Sequence, residues 1–171
     1  MQSQKGGLLV EIVVVVGIIV SSLAAILGGA TTFLVTSQIV QQTSQATALA
    51  QEGLEIVRNY RDGTVWAVDG LGSPAIVVGT EYHPIISSGE WRFDPFDPAP
   101  GLGTIGEFTR KIVFSNVYRD IPSPPGSGDI DTTGGGTLDP DTVKATVTVS
   151  WQERQRSHKV ELEAYFTNWN Q

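Results

Sequence analysis

The chain of 171 residues contains no cysteine, and it has no Asp, Glu, Lys or Arg between Ile12 and Gln51. Without cysteine the fold has no disulfide bond, and the redox state of its compartment cannot be inferred. The uncharged stretch begins with Ile12–Leu27, which consists of Val, Ile, Leu, Ala, Gly and two serines. Together with Leu8–Val10 it supplies about 20 residues of apolar helix, the length that crosses a bilayer core.

Several catalytic and metal-binding patterns are also missing. No serine has the context of a nucleophile elbow, and no phosphate-binding G-x-x-x-x-G-K-[ST] loop is present. The two histidines, His83 and His158, lie in unrelated segments without the spacing of zinc ligands. We therefore expect a protein that is not an enzyme and that binds no zinc.

The charge balance indicates what the chain is not built to bind. Its net charge is -7, whereas a nucleic-acid surface needs clustered Lys and Arg. We therefore expect no nucleic-acid partner. The small basic group Arg154, Arg156 and Lys159 is typical of a soluble hairpin turn, and DNA capture is the alternative interpretation.

One charge interrupts the apolar stretch near its start, the carboxylate of Glu11. An ionised side chain at the centre of a bilayer costs about 2.5–3.5 kcal/mol on insertion scales, and less near the edge. A plain membrane anchor has no reason to keep such a residue. Glu11 is therefore a candidate functional residue that requires a cationic partner.

The residues around Glu11 have a specific arrangement, Lys5-Gly6-Gly7-Leu8-Leu9-Val10-Glu11. This arrangement resembles the N-terminal signal of type IV pilins and type II secretion pseudopilins. In that family a prepilin peptidase cuts after the glycine that follows a basic residue, which here is the bond between Gly6 and Gly7. Glu11 then becomes the fifth residue of the mature chain, where the family keeps a glutamate. The family usually has Phe where this chain has Gly7, and many members have a proline where it has Gly28-Gly29.

The resemblance implies a mechanism of assembly. Cleavage creates an amine at Gly7, usually N-methylated, which the Glu11 carboxylate of an adjacent subunit neutralises as a filament grows. The implied partners are other pilin or pseudopilin subunits, the prepilin peptidase, an inner-membrane assembly platform and the lipid bilayer. The implied location is the inner membrane, with one membrane span and the C-terminal domain outside the cytoplasm, and then a pilus or a secretion filament.

Shorter similarities to prepilin-type proteins continue beyond the leader, in Leu49–Arg58, Arg61-Asp62 and Trp66, and again from Val147 to Trp169. Two other interpretations of the N-terminus remain. A cleaved secretory signal would have a shorter apolar run, a small-residue cleavage site after it and no acid inside it. A simple signal anchor would make the chain a single-pass ligand-binding or sensor protein.

The apolar helix is predicted to continue as an amphipathic one. From Ala30 the composition becomes polar but uncharged, and no proline interrupts it. One helical stripe consists of Ala46, Leu49, Ala50, Gly53, Ile56 and Val57. The helix should end near Arg61-Asp62-Gly63, where glycine supplies the C-terminal turn. We therefore predict a leader peptide (1–6), a transmembrane helix (7–29), its amphipathic continuation (30–62) and a β-rich globular domain (63–171).

The globular domain has the pattern of an antiparallel sheet. Candidate strands are Ala75–Val78, Glu81–Ile86, Glu90–Phe93 and Phe108–Val117. The clearest hairpin joins Ala145–Trp151 to Val160–Phe166 through a polar turn, because apolar and polar residues alternate on both sides. The apolar faces of these strands should pack on the helix stripe. The predicted fold class is therefore α+β, a long N-terminal helix packed on a small antiparallel sheet.

Two segments rich in proline, glycine and aspartate, Asp94–Gly101 and Pro122–Asp141, are predicted loops. The second contains Asp129, Asp131, Asp139 and Asp141, which offer oxygen ligands for calcium. Their spacing is not that of an EF-hand, so a solvated loop without a cofactor is the main expectation and calcium is the alternative.

The chain has four tryptophans, Trp66, Trp91, Trp151 and Trp169. Tryptophan combines a large apolar ring with one polar N–H group. We expect all four to serve in core and edge packing, and a carbohydrate-binding platform is the alternative.

Overall fold

The computed structural model describes residues 4–95, 103–120, 128–133, 135–153 and 155–169, without the side chains at 4–6, 8 and 31. Its elements are helix α1 (Gln4–Gly63) and the strands β1 (Glu81–Ser87), β2 (Glu90–Pro95), β3 (Thr104–Ile105), β4 (Phe108–Arg119), β5 (Thr137–Glu153) and β6 (Arg156–Thr167). The predicted α+β fold is confirmed. The chain divides into two compact units, Met1–Thr43 and Ser44–Gln171.

The first unit contains the N-terminal part of α1. Its large apolar side chains from Leu9 to Phe33 are between 49% and 73% exposed. The hydroxyl groups of Ser21 and Ser22 both donate to the Ile18 carbonyl, at 3.0 and 2.8 Å, so these polar groups are satisfied inside the helix. The helix is long and apolar enough to cross a membrane, by length and composition.

In the second unit, the part of α1 from Ser44 onward packs on an antiparallel sheet. The strand order is β2-β1-β4-β5-β6, and β3 pairs with β4 beside this path. The predicted helix stripe is confirmed, because Ala46, Ala50, Gly53, Ile56 and Val57 are buried and Leu49 packs against the core. On the opposite side of the helix Glu55 and Arg58 form an exposed ion pair.

The inner face of the sheet follows the predicted alternation. On β5 the buried residues are Ala145, Val147, Val149 and Trp151. Strand β6 is an edge strand, so its apolar residues Val160, Leu162 and Ala164 are only partly buried while Phe166 is fully covered. On β4 the residues Phe108, Arg110, Ile112 and Phe114 all lie on the buried face, as predicted. The core is therefore a layer between one helix face and one sheet face.

Two tight turns depend on residues with positive φ. Strands β1 and β2 are joined by Ser88 and Gly89, with φ of 56° and 84°. Two-residue hairpin turns favour this conformation because it matches the twist of the flanking strands. Strand β3 is joined to β4 through Gly106, with φ of 62°, followed by Glu107. The sequence analysis did not predict β3, which is only two residues long.

The predicted strand Ala75–Val78 is wrong, since these residues form turns. The Ile76 N–H donates to Ser73 and the Thr80 N–H donates to Val77. Only Ile76 of this run is buried, whereas Val77 and Val78 are 56% and 43% exposed. The β-branched residues of this run therefore favoured a strand in the sequence, but the run pairs with no strand among the described residues.

The predicted loop Pro122–Asp141 is wrong at its C-terminal end, because β5 already begins at Thr137. A β-bulge between Asn116 and Val117 lets Val117 pair with Asp139 while Asn116 pairs with Val143. The bulge leaves Pro140 outside the regular ladder, which is where a sheet tolerates proline.

Other predicted boundaries also differ from the structure. Asp94 and Pro95 belong to β2 rather than to the loop Asp94–Gly101. Strands β4 and β6 extend beyond the predicted Val117 and Phe166. The remainder of the loop 94–101, residues 122–127 and 134 of the second loop, and Arg154 lie outside the described residues.

Candidate functional site

The predicted processing residues lie in the first turns of α1. Lys5, Gly6 and Gly7 are within the helix, and Gly7 is exposed. A Cβ atom placed on Gly7 would meet nothing within 4 Å. Because the first N–H groups of a helix have no intrahelical acceptor, such ends open readily. On the Gly7 side of the Gly6–Gly7 bond, the chain is therefore open to solvent.

Glu11 lies one helical turn after Gly7 and is exposed. No hydrogen bond or ion pair of Glu11 is found within the side chains that the structure describes. It is the only charged residue from position 7 to position 51. The site therefore consists of one carboxylate at the start of a long apolar surface, and in an apolar medium it requires a cationic partner.

The acidic side chains of the predicted loop, which the structure divides between the segment before β5 and the start of β5, bond to the protein itself. The Asp139 carboxylate pairs with Arg119 at 2.6 Å, and its second oxygen accepts from the Asp141 N–H at 2.9 Å. Burial raises the pKa of Asp139, but hydrogen bonds from Arg119, Thr142 and Asp141 outweigh it, so the pKa lies below its ordinary value. Asp139 therefore remains ionised and joins the start of β5 to the end of β4.

Asp131 has a similar structural function. Its carboxylate accepts hydrogen bonds from the hydroxyl and the N–H of Thr133 and from the Gly136 N–H. The Thr133 hydroxyl is the largest cause that lowers the pKa of Asp131, to about 2.

The remaining two aspartates of the candidate calcium set also serve the loop. The Asp129 carbonyl accepts from the Asp120 N–H, and the Asp141 carboxylate accepts from the Asn168 amide at 3.1 Å. Over the described residues, no three His, Cys, Asp or Glu side chains form a group that could hold a metal ion. The structure thus does not assemble Asp129, Asp131, Asp139 and Asp141 into a calcium site.

The histidines and the basic residues are dispersed. His83 is buried on β1, and His158 on β6 stacks on Trp151 with a centroid distance of 5.4 Å. Lys159 is engaged by Glu161 at 2.6 Å. These contacts are those of structural residues in the sheet.

The four tryptophans differ in exposure. Trp151 is buried, and Trp66 and Trp91 are partly buried, as packing requires. Trp169 is 64% exposed and differs from the packing expected of it. Trp169 lines a cleft of about 280 Å³ that the sequence analysis did not predict. The walls come from the end of α1 and the end of β6, which are far apart in sequence. The only sequence feature that points to them is the short similarity that both segments have to prepilin-type proteins.

The fold and the site define a general class, an α+β protein with one N-terminal helix suited to a membrane and a helix-backed antiparallel sheet. Comparison with models of protein families, with curated proteins and with solved structures finds no match. Function is therefore inferred from the residues of the chain itself.

Proposed function

We propose that this chain is a structural subunit, a minor pilin or pseudopilin, of a type IV pilus or a type II secretion-like filament. One observation carries the proposal. The apolar N-terminal part of α1, from Gly7 to Thr43, is at least half exposed along most of its large side chains and bears a single carboxylate, Glu11, shortly after Lys5-Gly6-Gly7. That combination suits a helix that leaves lipid to join a bundle formed by the helices of other subunits.

The mechanism begins with a precursor in the inner membrane, with its C-terminal domain outside the cytoplasm. A prepilin peptidase cleaves the bond between Gly6 and Gly7, and the assembly platform moves the mature chain into the filament. Outside the membrane, exposure of the apolar helix surface to water would cost about 25 cal/mol per Å², so packing against other subunits is favoured over a hydrated helix. No catalytic function of the chain is required.

In this mechanism Glu11 sets the register between subunits. Taking two charges into an apolar bundle costs free energy that their attraction offsets only with good geometry. Leaving one of them unpaired is much worse, typically by about 3–5 kcal/mol in buried sites. The pairing of Glu11 with the amine of a neighbouring Gly7 therefore favours the aligned arrangement over shifted ones more than it adds net stability.

The first experiment measures processing. The full chain is expressed in a bacterial membrane with and without a prepilin peptidase, and the intact mass of the extracted protein is determined. We expect a chain that begins at Gly7, with or without one methyl group, only when the peptidase is present. The variant Gly6→Val should stay uncut, whereas Gly17→Ala, at a position where a Cβ meets nothing within 4 Å, should be cut normally.

The second experiment measures assembly. Glu11→Gln should be inserted and cleaved like the wild type but should yield far less sheared or sedimentable filament. The matched control is Glu55→Gln, because Glu55 lies on the exposed side of the same helix and only pairs with Arg58. Wild-type filament yield from Glu11→Gln would contradict the function proposed for this carboxylate.

The same mass measurement tests the alternative of a membrane-anchored ligand-binding or sensor protein. An uncut chain that still begins at Met1, or a cut beyond Gly29, would favour the anchored protein and would overturn the filament subunit.

A further inference from the structure

The cleft at the end of the sheet has the composition of a small-ligand site. It measures about 280 Å³ and lies wholly within the compact unit Ser44–Gln171. Its walls are formed chiefly by Arg61, Thr64, Trp66, Thr167, Asn168 and Trp169. Clefts that hold drug-sized ligands measure about 300–1,000 Å³, so this one suits a ligand of a single ring.

Hydrogen bonds fix both walls to one point of β5. The Trp66 indole N–H donates to the Pro140 carbonyl at 3.2 Å. The Asn168 N–H donates to the Asp141 carbonyl at 2.8 Å, and its amide nitrogen donates to the Asp141 carboxylate at 3.1 Å. Because Pro140 and Asp141 are adjacent, the two walls are tied together before any ligand arrives. A preformed site loses less entropy on binding than a flexible one.

Trp169 supplies the apolar surface of the cleft. Its side chain is 64% exposed, which packing inside the chain does not explain. The Arg61 guanidinium lies over one face of the Trp169 ring, 5.9 Å from its centroid, and 5.6 Å from the centroid of the Phe166 ring, so the indole face left for a ligand is the opposite one. An exposed indole face carries negative charge density and attracts C–H groups with a small positive charge.

Beside the apolar Val65 and Ala67, the lining includes neutral donors and acceptors. The Thr64 hydroxyl donates to the Tyr60 carbonyl, so its oxygen is oriented to accept from a ligand. The Thr167 hydroxyl and the Asn168 amide oxygen add further groups of the same kind. A pyranose ring combines a C–H face that packs on an indole with hydroxyl groups that both donate and accept.

The charge of the cleft decides between neutral and acidic rings. Arg61 is its cation, and the Arg61 guanidinium is already paired with the Asp62 carboxylate at 2.8 Å. The whole chain carries a net charge of -7, which repels anions. We propose that this cleft binds a single neutral pyranose ring, with Trp169 as the stacking surface. The proposal is independent of the filament function.

The test uses the full chain in a zwitterionic detergent, because detergents with sugar head groups would compete for the cleft. Methyl glucoside, methyl galactoside, N-acetylglucosamine and glucuronate are titrated, and binding is followed by saturation-transfer NMR and by tryptophan fluorescence. We expect saturable binding of at least one neutral sugar and weaker binding of glucuronate. Saturation by none of the neutral sugars, or tighter binding of glucuronate, would overturn the proposal.

Variants then locate the binding surface. Trp169→Ala should weaken the bound neutral sugar by about tenfold or more, and Trp169→Phe should restore part of the affinity because it keeps an aromatic face. Ile86→Ala removes another exposed apolar side chain, 66% exposed on β1, and should leave binding unchanged. Because Trp169 is mostly exposed, its variants should melt at the wild-type temperature. Wild-type affinity in Trp169→Ala would refute the assignment.

Discussion

Helix α1 approaches the sheet closely at Gly53. A Cβ atom placed there would lie 2.8 Å from Cγ1 of Val147 and 3.3 Å from Cδ of Arg110. Real Cβ contacts are longer than 2.8 Å, so the substitution Gly53→Ala forces Val147 or the helix to move. The fully buried Val147 lies on the central strand β5, where neighbouring side chains restrict that movement.

Two opposing effects set the magnitude. Replacing glycine by alanine inside a helix stabilises it by about 1 kcal/mol. Adding one carbon to a packed core costs about 1–3 kcal/mol. We therefore expect Gly53→Ala to lower the free energy of unfolding by up to about 2 kcal/mol. In a Val147→Ala background the obstructing methyl groups are gone. Gly53→Ala should then raise the free energy of unfolding by up to about 1 kcal/mol.

Urea unfolding of the four chains of this double-mutant cycle, followed by tryptophan fluorescence, measures both values. All four tryptophans lie in the unit Ser44–Gln171, so the signal reports on that unit. Gly63→Ala is the control, because a Cβ there meets nothing within 4 Å and only the helix propensity changes. Equal stabilisation by Gly53→Ala in both backgrounds would refute the close approach.

Three further predictions concern charged side chains. Arg119→Met should lower the free energy of unfolding by about 1.5–3 kcal/mol in urea titrations, because it leaves the buried Asp139 without its cation. An unchanged free energy of unfolding would contradict this prediction. Because folding lowers the pKa of Asp131 from 3.8 to about 2, its contribution is complete above about pH 4 and is lost as the pH falls toward 2. The stability difference between the wild type and Asp131→Asn should therefore shrink over this range, and a constant difference would count against it. Arg110→Met should leave the melting temperature nearly unchanged or raise it. The buried Nε of Arg110 has no acceptor among the described residues, and its ion-pair partner Glu52 is half-exposed. A large decrease in melting temperature would show that the Arg110–Glu52 pair is stabilising.

Elements with a strong local pattern were predictable from the sequence. The buried stripe of α1 follows from helical spacing, and the end of α1 at Gly63 was predicted from the glycine after Arg61 and Asp62. The β5–β6 hairpin follows from strict alternation, because one face must be apolar when the other meets water. In both cases the regular spacing of apolar residues along the chain determines which side chains become buried.

The start of β5 was not predictable in this way. Residues before Thr142 have no partner on β6, whose pairing begins at Thr142 and Thr167, so that part of β5 pairs only with β4. This arrangement tolerates Pro140, because the register shift opposite Asn116 and Val117 leaves residues 140–142 of β5 outside the β4 ladder. The cleft beside Trp169 was missed for a related reason, because the contact of Asn168 with Asp141 exists only after the strands have paired.

The two units differ in how far their apolar side chains are buried. Val57 and Val147 are fully buried in the unit Ser44–Gln171, whereas the large side chains from Leu9 to Phe33 remain at least 49% exposed. The first unit is therefore suited to an apolar environment from outside the chain, lipid or other helices. A charge at its centre, as in Val15→Lys, should cost about 2.5–3.5 kcal/mol of insertion free energy. It should reduce the membrane-bound fraction in cell fractionation without changing fluorescence melting in detergent, whereas Val147→Ala should change only the melting. If Val15→Lys lowered the melting temperature as much as Val147→Ala does, the two units would not be energetically independent.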